Sequence, residues 1–141
     1  MPAFDWPAAD PPVYQFPMDE SNAAHNAAQD EQALDSVRVL ISEVRASKGQ
    51  EIAAVIMEPI MSEGGDNPFS ANFAQGVRSL TKELGIYMIV DEVQTGVCTS
   101  GTYWAHEQWG LDRWARNRKP PFPLCFSAAF LSFCRCDSSA I

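Results

Sequence analysis

Ile52-Ala53-Ala54-Val55-Ile56-Met57-Glu58-Pro59 and Ile86-Tyr87-Met88-Ile89-Val90-Asp91-Glu92 are two short apolar runs, and each ends on an acid. A continuous apolar run without polar alternation predicts a strand buried on both faces, and such strands belong to parallel sheets. Between the two runs lies a glycine-bearing loop, 61–68. A helix near 72–84 follows it, with Phe73, Val77 and Leu80 on one side and Gly85 as its terminator. Strand, helix, strand in this order predicts a right-handed crossover unit with parallel strands. Glu58 and Asp91 then emerge together at the C-terminal edge of the sheet, where open α/β sheets hold their ligands. The expected fold class is α/β, a mostly parallel sheet with crossover helices.

Working outward, Ala33, Leu34, Val37, Leu40, Ile41 and Val44 recur at three- and four-residue steps and predict a helix over 30–46, punctuated by Gly49. Residues 1–20 carry prolines at 2, 7, 11, 12 and 17 with Phe4, Trp6, Tyr14 and Phe16 between them. That pattern blocks helices and predicts an extended arm with aromatic anchors.

The chain has 141 residues, 46% hydrophobic and 20% charged, which suits one globular domain. Its net charge of -8 argues against nucleic acid as a partner, because phosphate backbones are held by clustered Lys and Arg. The average hides a break. Residues 1–112 hold 5 Lys and Arg against 17 Asp and Glu, whereas 113–141 hold 5 against 1 and also contain Cys125, Cys134 and Cys136. Cys134-Arg135-Cys136 has one intervening residue and no following His, so it lacks structural-zinc spacing. The run 120–133 is interrupted by three prolines and falls short of the roughly 18 residues a membrane span needs. The N-terminus has neither the basic start and apolar run of a secretory signal nor an Arg-rich amphipathic character.

Asp91 and Glu92 are followed by no Lys or Arg for twenty residues. Either the acids accept backbone N–H bonds in the next turn, or a cationic ligand holds at least one of them. Spacing leaves both readings open.

Three strings go further. Val90-Asp91-Glu92-Val93-Gln94-Thr95-Gly96 resembles the signature of pyridoxal-phosphate aminotransferases that act on ω-amino groups, the class-III family. Glu58-Pro59-Ile60-Met61-Ser62-Glu63-Gly64-Gly65-Asp66-Asn67 resembles that family's cofactor-covering loop in its 4-aminobutyrate branch. Trp104-Ala105-His106-Glu107-Gln108-Trp109-Gly110-Leu111-Asp112 resembles the same branch, as does Phe4-Asp5-Trp6-Pro7. The resemblance covers residues 2–112 and implies two units. Residues 1–112 would be part of the large domain of a fold-type I pyridoxal-phosphate transferase, and 113–141 an unrelated tail, disordered or mis-joined.

The resemblance also implies roles. Asp91 matches the carboxylate that pairs with the protonated pyridine nitrogen, and Gln94 the amide beside the ring hydroxyl oxygen. Glu58 matches a glutamate that forms a switchable ion pair with a substrate-reading arginine, and Glu63 an acid on the substrate side. His106, between two tryptophans, reads as a packed, hydrogen-bonded residue without a catalytic role. The family's Schiff-base lysine lies 31 residues beyond the match to Asp91, in a Thr-Phe-Ser-Lys context, and counting places Phe122 there. No catalytic residue is therefore expected. Val97-Cys98 stands where the branch commonly carries glycine.

The resemblance thus implies a 4-aminobutyrate:2-oxoglutarate transaminase dependent on pyridoxal 5'-phosphate, inactive in this chain for want of the lysine. Its partners would be an amino donor and a 2-oxo acid, with a homodimer in the complete protein and no membrane. The expected compartment is the mitochondrial matrix or the cytosol. Two alternatives stand beside it: a related ω-aminotransferase of the ornithine type, and a non-catalytic fragment that docks on intact subunits.

Overall fold

The computed structural model describes residues 6–49, 51–63, 65–111 and 125–127. The elements in chain order are α1 (Ala23–Lys48), β1 (Ala54–Met57), β2 (Ile60–Met61), β3 (Asn67–Pro68), α2 (Ala71–Leu84), β4 (Tyr87–Asp91), a 3-10 turn (Ala105–Trp109) and β5 (Cys125–Ser127). β1 pairs parallel with β4, Ala54 opposite Tyr87 and Met57 opposite Val90, so the crossover expected from sequence is present. On its other side β4 pairs parallel with β5, giving the order β1-β4-β5. β2 and β3 form a separate two-stranded hairpin inside the loop that leads to α2.

α2 starts where Ser70 Oγ accepts a hydrogen bond from Phe73 N–H, the usual N-cap arrangement, and ends on left-handed Gly85. Its buried residues Phe73, Ala74, Val77 and Leu80 sit at three- and four-residue steps. They meet Ala33 and Leu34 of α1 and Met57, Met88 and Val90 of the sheet in one cluster, which Trp109 closes. The two helices approach closely at Gly76, where an added Cβ would lie 2.5 Å from Leu34 Cδ1. Val37, Ile41, Leu80 and Ile86 form a second cluster.

Two expectations need correction. Among the described residues the strands are covered on one face: Ile56 is 52% exposed and Tyr87 37%, while Met88 and Val90 are fully buried. An apolar run reports what a side chain would tolerate, and both helices described against this sheet reach the same side. α1 also begins seven residues before the helix expected over 30–46. Its first two turns bury Asn26 and Asp30, polar residues that apolar periodicity does not register. The N-terminal arm reaches both: Asn26 Nδ2 donates to Gln15 O and Asn26 Oδ1 accepts from Gln15 N, while Tyr14 O–H donates to Asp30 Oδ1 and Ser70 Oγ–H to Asp30 Oδ2. The arm is non-helical over its described part, with Tyr14 as its anchor; Trp6 and Phe16 are 69% and 63% exposed. Phe4 lies outside the described residues.

Of the segment set apart at 113–141, the residues 125–127 are described and extend the sheet. The rest, Phe122 included, lies outside the described residues. No helix among those described is long and apolar enough to cross a membrane.

Candidate cofactor-ring site at the sheet edge

β4 ends on Asp91, whose partner in the neighbouring strand β5 is Ser127; on the other side Val90 is level with Met57, so Glu58 leaves β1 beside Asp91. The sheet thus brings Glu58 and Asp91 to one edge, as the sequence implied. Asp91 is half-buried, and its Oδ1 accepts a hydrogen bond of 3.0 Å from Val93 N–H. Its second oxygen takes no donor among the described residues. Gln94 is exposed in the turn after β4, its carbonyl accepting from Thr99 Oγ1 at 3.0 Å and its amide group held by nothing described. Glu58 is exposed, and its Oε2 accepts from Ser62 N–H at 3.1 Å. Glu63 is exposed in the β2–β3 turn.

The two acids that close β4 have opposite fates. Successive residues of a strand face opposite ways, and Glu92 turns inward, 2% exposed. Its Oε2 accepts from Thr95 Oγ1 at 2.6 Å and Ala105 N–H at 3.0 Å, and its Oε1 accepts from His106 N–H at 2.8 Å and lies 2.9 Å from His106 Nδ1. Burial alone would push the Glu92 carboxyl up; these hydrogen bonds outweigh it and hold the group below the ordinary glutamate range. The question left open by spacing is answered separately for each acid. Asp91 caps the turn with one oxygen, and Glu92 is held by a distant backbone and His106. Sequence reading gave His106 a packed, hydrogen-bonded character, which the structure bears out, but it did not connect His106 to Glu92 across fourteen positions.

The turn itself is tight. Gly96 N–H donates to Glu92 O at 2.9 Å, and a Cβ on Gly96 would lie 2.8 Å from that same oxygen and 2.8 Å from the Trp104 ring, so only glycine fits. Val97 and Cys98 then adopt φ of 60° and 68°, a left-handed pair, with both N–H groups directed at Tyr103 O, at 2.8 and 3.4 Å. Trp109 Nε1–H donates to Phe69 O, and Gln75 Nε2 donates to Trp109 O, fixing the end of the loop to α2.

Asp91 presents one open carboxylate oxygen at the sheet edge that can accept from a cationic N–H, and Gln94 an exposed amide one turn on that can donate to an oxygen. Among the described residues no cluster of three His, Cys, Asp or Glu side chains could hold a metal ion.

The family model "Aminotransferase class-III" matches residues 3–113. The chain belongs to the class-III aminotransferase family. It is 44% identical to the probable mitochondrial 4-aminobutyrate aminotransferase of Caenorhabditis elegans over 132 residues, 94% of this chain and 26% of the relative. It is 42% identical to the mitochondrial 4-aminobutyrate aminotransferase of Sus scrofa over 112 residues, 79% of this chain and 22% of that protein. A solved lysine aminotransferase from M. tuberculosis superposes with a TM-score of 0.65 at 36% identity, over 79% of this chain and 24% of that one. The chain thus spans about a quarter of the length of the curated relatives it matches. The worm match takes in 132 of 141 residues and leaves 9 outside, so similarity to class-III aminotransferases runs past residue 113 and past the break in charge.

Proposed function

We infer that this chain carries the cofactor-ring-reading part of an aminotransferase that moves the amino group of 4-aminobutyrate to 2-oxoglutarate with pyridoxal 5'-phosphate. The observation that carries this reading is Asp91, a half-buried carboxylate at the C-terminal end of β4 with one oxygen engaged by Val93 N–H. When bound, the pyridine ring supplies an electron sink for a carbanion at the amino-bearing carbon. Asp91 would hold a proton on the ring nitrogen, since a fixed anion there favours the cationic form. Gln94 would donate an amide N–H to the ring's phenolic oxygen. Glu58, exposed at the same edge, is the group that would pair with a substrate-reading arginine, and Glu63, exposed in the β2–β3 turn, would belong to the substrate side.

The family's lysine follows Phe-Ser, and in this chain Phe126-Ser127 end β5 level with Val90-Asp91. The residue next in sequence is Ala128. By this Phe-Ser context we match the lysine to Ala128, whereas the count of 31 residues from Asp91 matches it to Phe122. Neither Ala128 nor Phe122 carries an amine to join the cofactor covalently or a base for the 1,3-proton shift, so the chain is expected to turn over no substrate.

Asp91 and Gln94 read only the ring, so the amino donor rests on the relatives named as 4-aminobutyrate enzymes. The likeness to a lysine aminotransferase supports a diamine donor as the second reading. Dimeric assembly of complete subunits and a mitochondrial or cytosolic setting belong to the same proposal.

The test is borohydride trapping. Wild type, A128K and F122K are mixed with pyridoxal 5'-phosphate, reduced and digested for mass spectrometry. A pyridoxyl adduct at position 128 well above that on the native lysines supports the reading. Equal labelling in A128K and F122K, or labelling unchanged by D91N, overturns it.

A further inference from the structure

We propose that Glu92, working through His106, is the positioning residue for the face formed by Asp91 and Gln94; the proposal rests on the ring reading above. Glu92 touches neither ring nor substrate in that reading. Its side chain is fully buried and that of His106 nearly so, at 0% and 15% exposure.

A buried carboxylate is an expensive way to fill space. Its desolvation is offset only when its lone pairs are taken up, and an apolar residue of the same volume would often serve stability as well or better. What the carboxylate adds here is direction. Its four donors come from two places, Thr95 inside the ring-reading turn and Ala105 and His106 at the start of the 3-10 turn. The residue that follows the strand is thereby tied to both ends of the loop that carries Gln94.

The consequence for Asp91 comes from strand geometry. Asp91 and Glu92 are adjacent and face opposite ways, so fixing the Glu92 carboxylate fixes the rotation of the strand end and with it the direction of Asp91. Gln94 is bracketed still more closely. It lies inside the turn closed by Gly96 N–H on Glu92 O at 2.9 Å and by Thr95 Oγ1 on Glu92 Oε2 at 2.6 Å. Glu92 thus anchors this turn by main chain and side chain together, while the Gln94 side chain has no described partner of its own. Without Glu92 the amide loses its bearing before the fold loses its core, because the clusters around Phe73, Val77 and Met88 do not include Glu92.

The experiment uses the full chain and pyridoxamine 5'-phosphate, a probe that does not condense with lysines. Binding is measured by equilibrium dialysis, and the protonation of the bound ring is followed by its absorption across pH. Amide hydrogen exchange at Gly96, Ala105 and His106 is read in parallel. In E92Q one oxygen is replaced by a donor that faces N–H groups, so the probe is expected to bind about tenfold more weakly, the equivalent of one lost hydrogen bond. The bound ring nitrogen should also give up its proton at lower pH, and the three amides should exchange faster. H106Q keeps the backbone donors and should show the same changes at smaller size, which holds the proposal open to test should E92Q not fold.

A role confined to stability would lower the melting temperature and leave the bound ring's titration where it was, and that result overturns the proposal. Unchanged amide exchange in both variants overturns it too, whether or not the probe binds. Failure of wild type to bind the probe, with amide exchange responding as expected, brings down the ring reading and leaves Glu92 as a loop clamp without that purpose.

Discussion

Val97 offers a direct measure of the strain stored next to the ring-reading turn. Its φ is 60°, a region where an L residue costs roughly 1–2 kcal/mol, with a β-branched side chain at the upper end. The side chain is 70% exposed, so little burial is lost when it is removed. Glycine relieves the steric cost and reintroduces chain freedom in the unfolded state worth about 0.5–1 kcal/mol. V97G is therefore expected to stabilise the chain by about 0.5–1 kcal/mol, which for a domain near this size raises the melting midpoint by roughly 2–8 °C. V97A is the control, since alanine keeps the Cβ that clashes and gains only the loss of branching. Urea unfolding of the three proteins, followed by far-ultraviolet circular dichroism, gives the comparison, with an unchanged m-value required for it to be read as stability. Stability of V97G equal to or below that of V97A would refute the strain argument and imply that the left-handed backbone at 97–98 costs nothing here.

Two titrating groups give further expected outcomes. Glu92 is held below its ordinary value of 4.5, so its contribution is fully present above that pH and is lost as pH falls through the depressed value; acid unfolding of wild type should be steeper in that window than that of E92Q. Tyr14 is pushed up from 10.0 to about 12 by burial and then by its hydrogen bond to Asp30, so its contribution is present below pH 10 and lost as pH rises toward 12. Y14F should abolish that alkaline slope. At neutral pH it should cost about 1–3 kcal/mol in urea unfolding, because Ser70 N–H and one Asp30 oxygen lose a partner in a largely buried setting.

The crossover unit was legible in sequence because its signal is local. The two apolar runs, the Phe73-Val77-Leu80 face and Gly85 each report on their own few residues, and parallel pairing follows once a helix joins the strands. Legibility failed where partners are distant. The first turns of α1 are stabilised by Asn26 and Asp30 reaching an arm eleven to sixteen positions away, and an apolar pattern cannot show a buried polar side chain whose partner lies outside the window. β5 escaped for another reason: its three residues sit in a stretch whose charge and cysteine content differ from the rest, and composition masked a short strand.

The site divides along the same line. Glu58 and Asp91 could be placed together because strand ends are fixed by topology, and the resemblance named Gln94 beside them. Glu92 was read together with Asp91, the pair held either by backbone N–H groups or by a cationic ligand, whereas the fold separates them by one step of the pleat and turns one inward. That inward turn explains how two adjacent carboxylates can close a strand with no Lys or Arg for twenty residues. Repulsion between them is limited by the strand, which points them apart, and the charge of one is taken up by hydrogen-bond donors while the other stays available. A site that must offer a single aimed negative charge needs its neighbour occupied, and in this chain the occupant is the loop carrying His106.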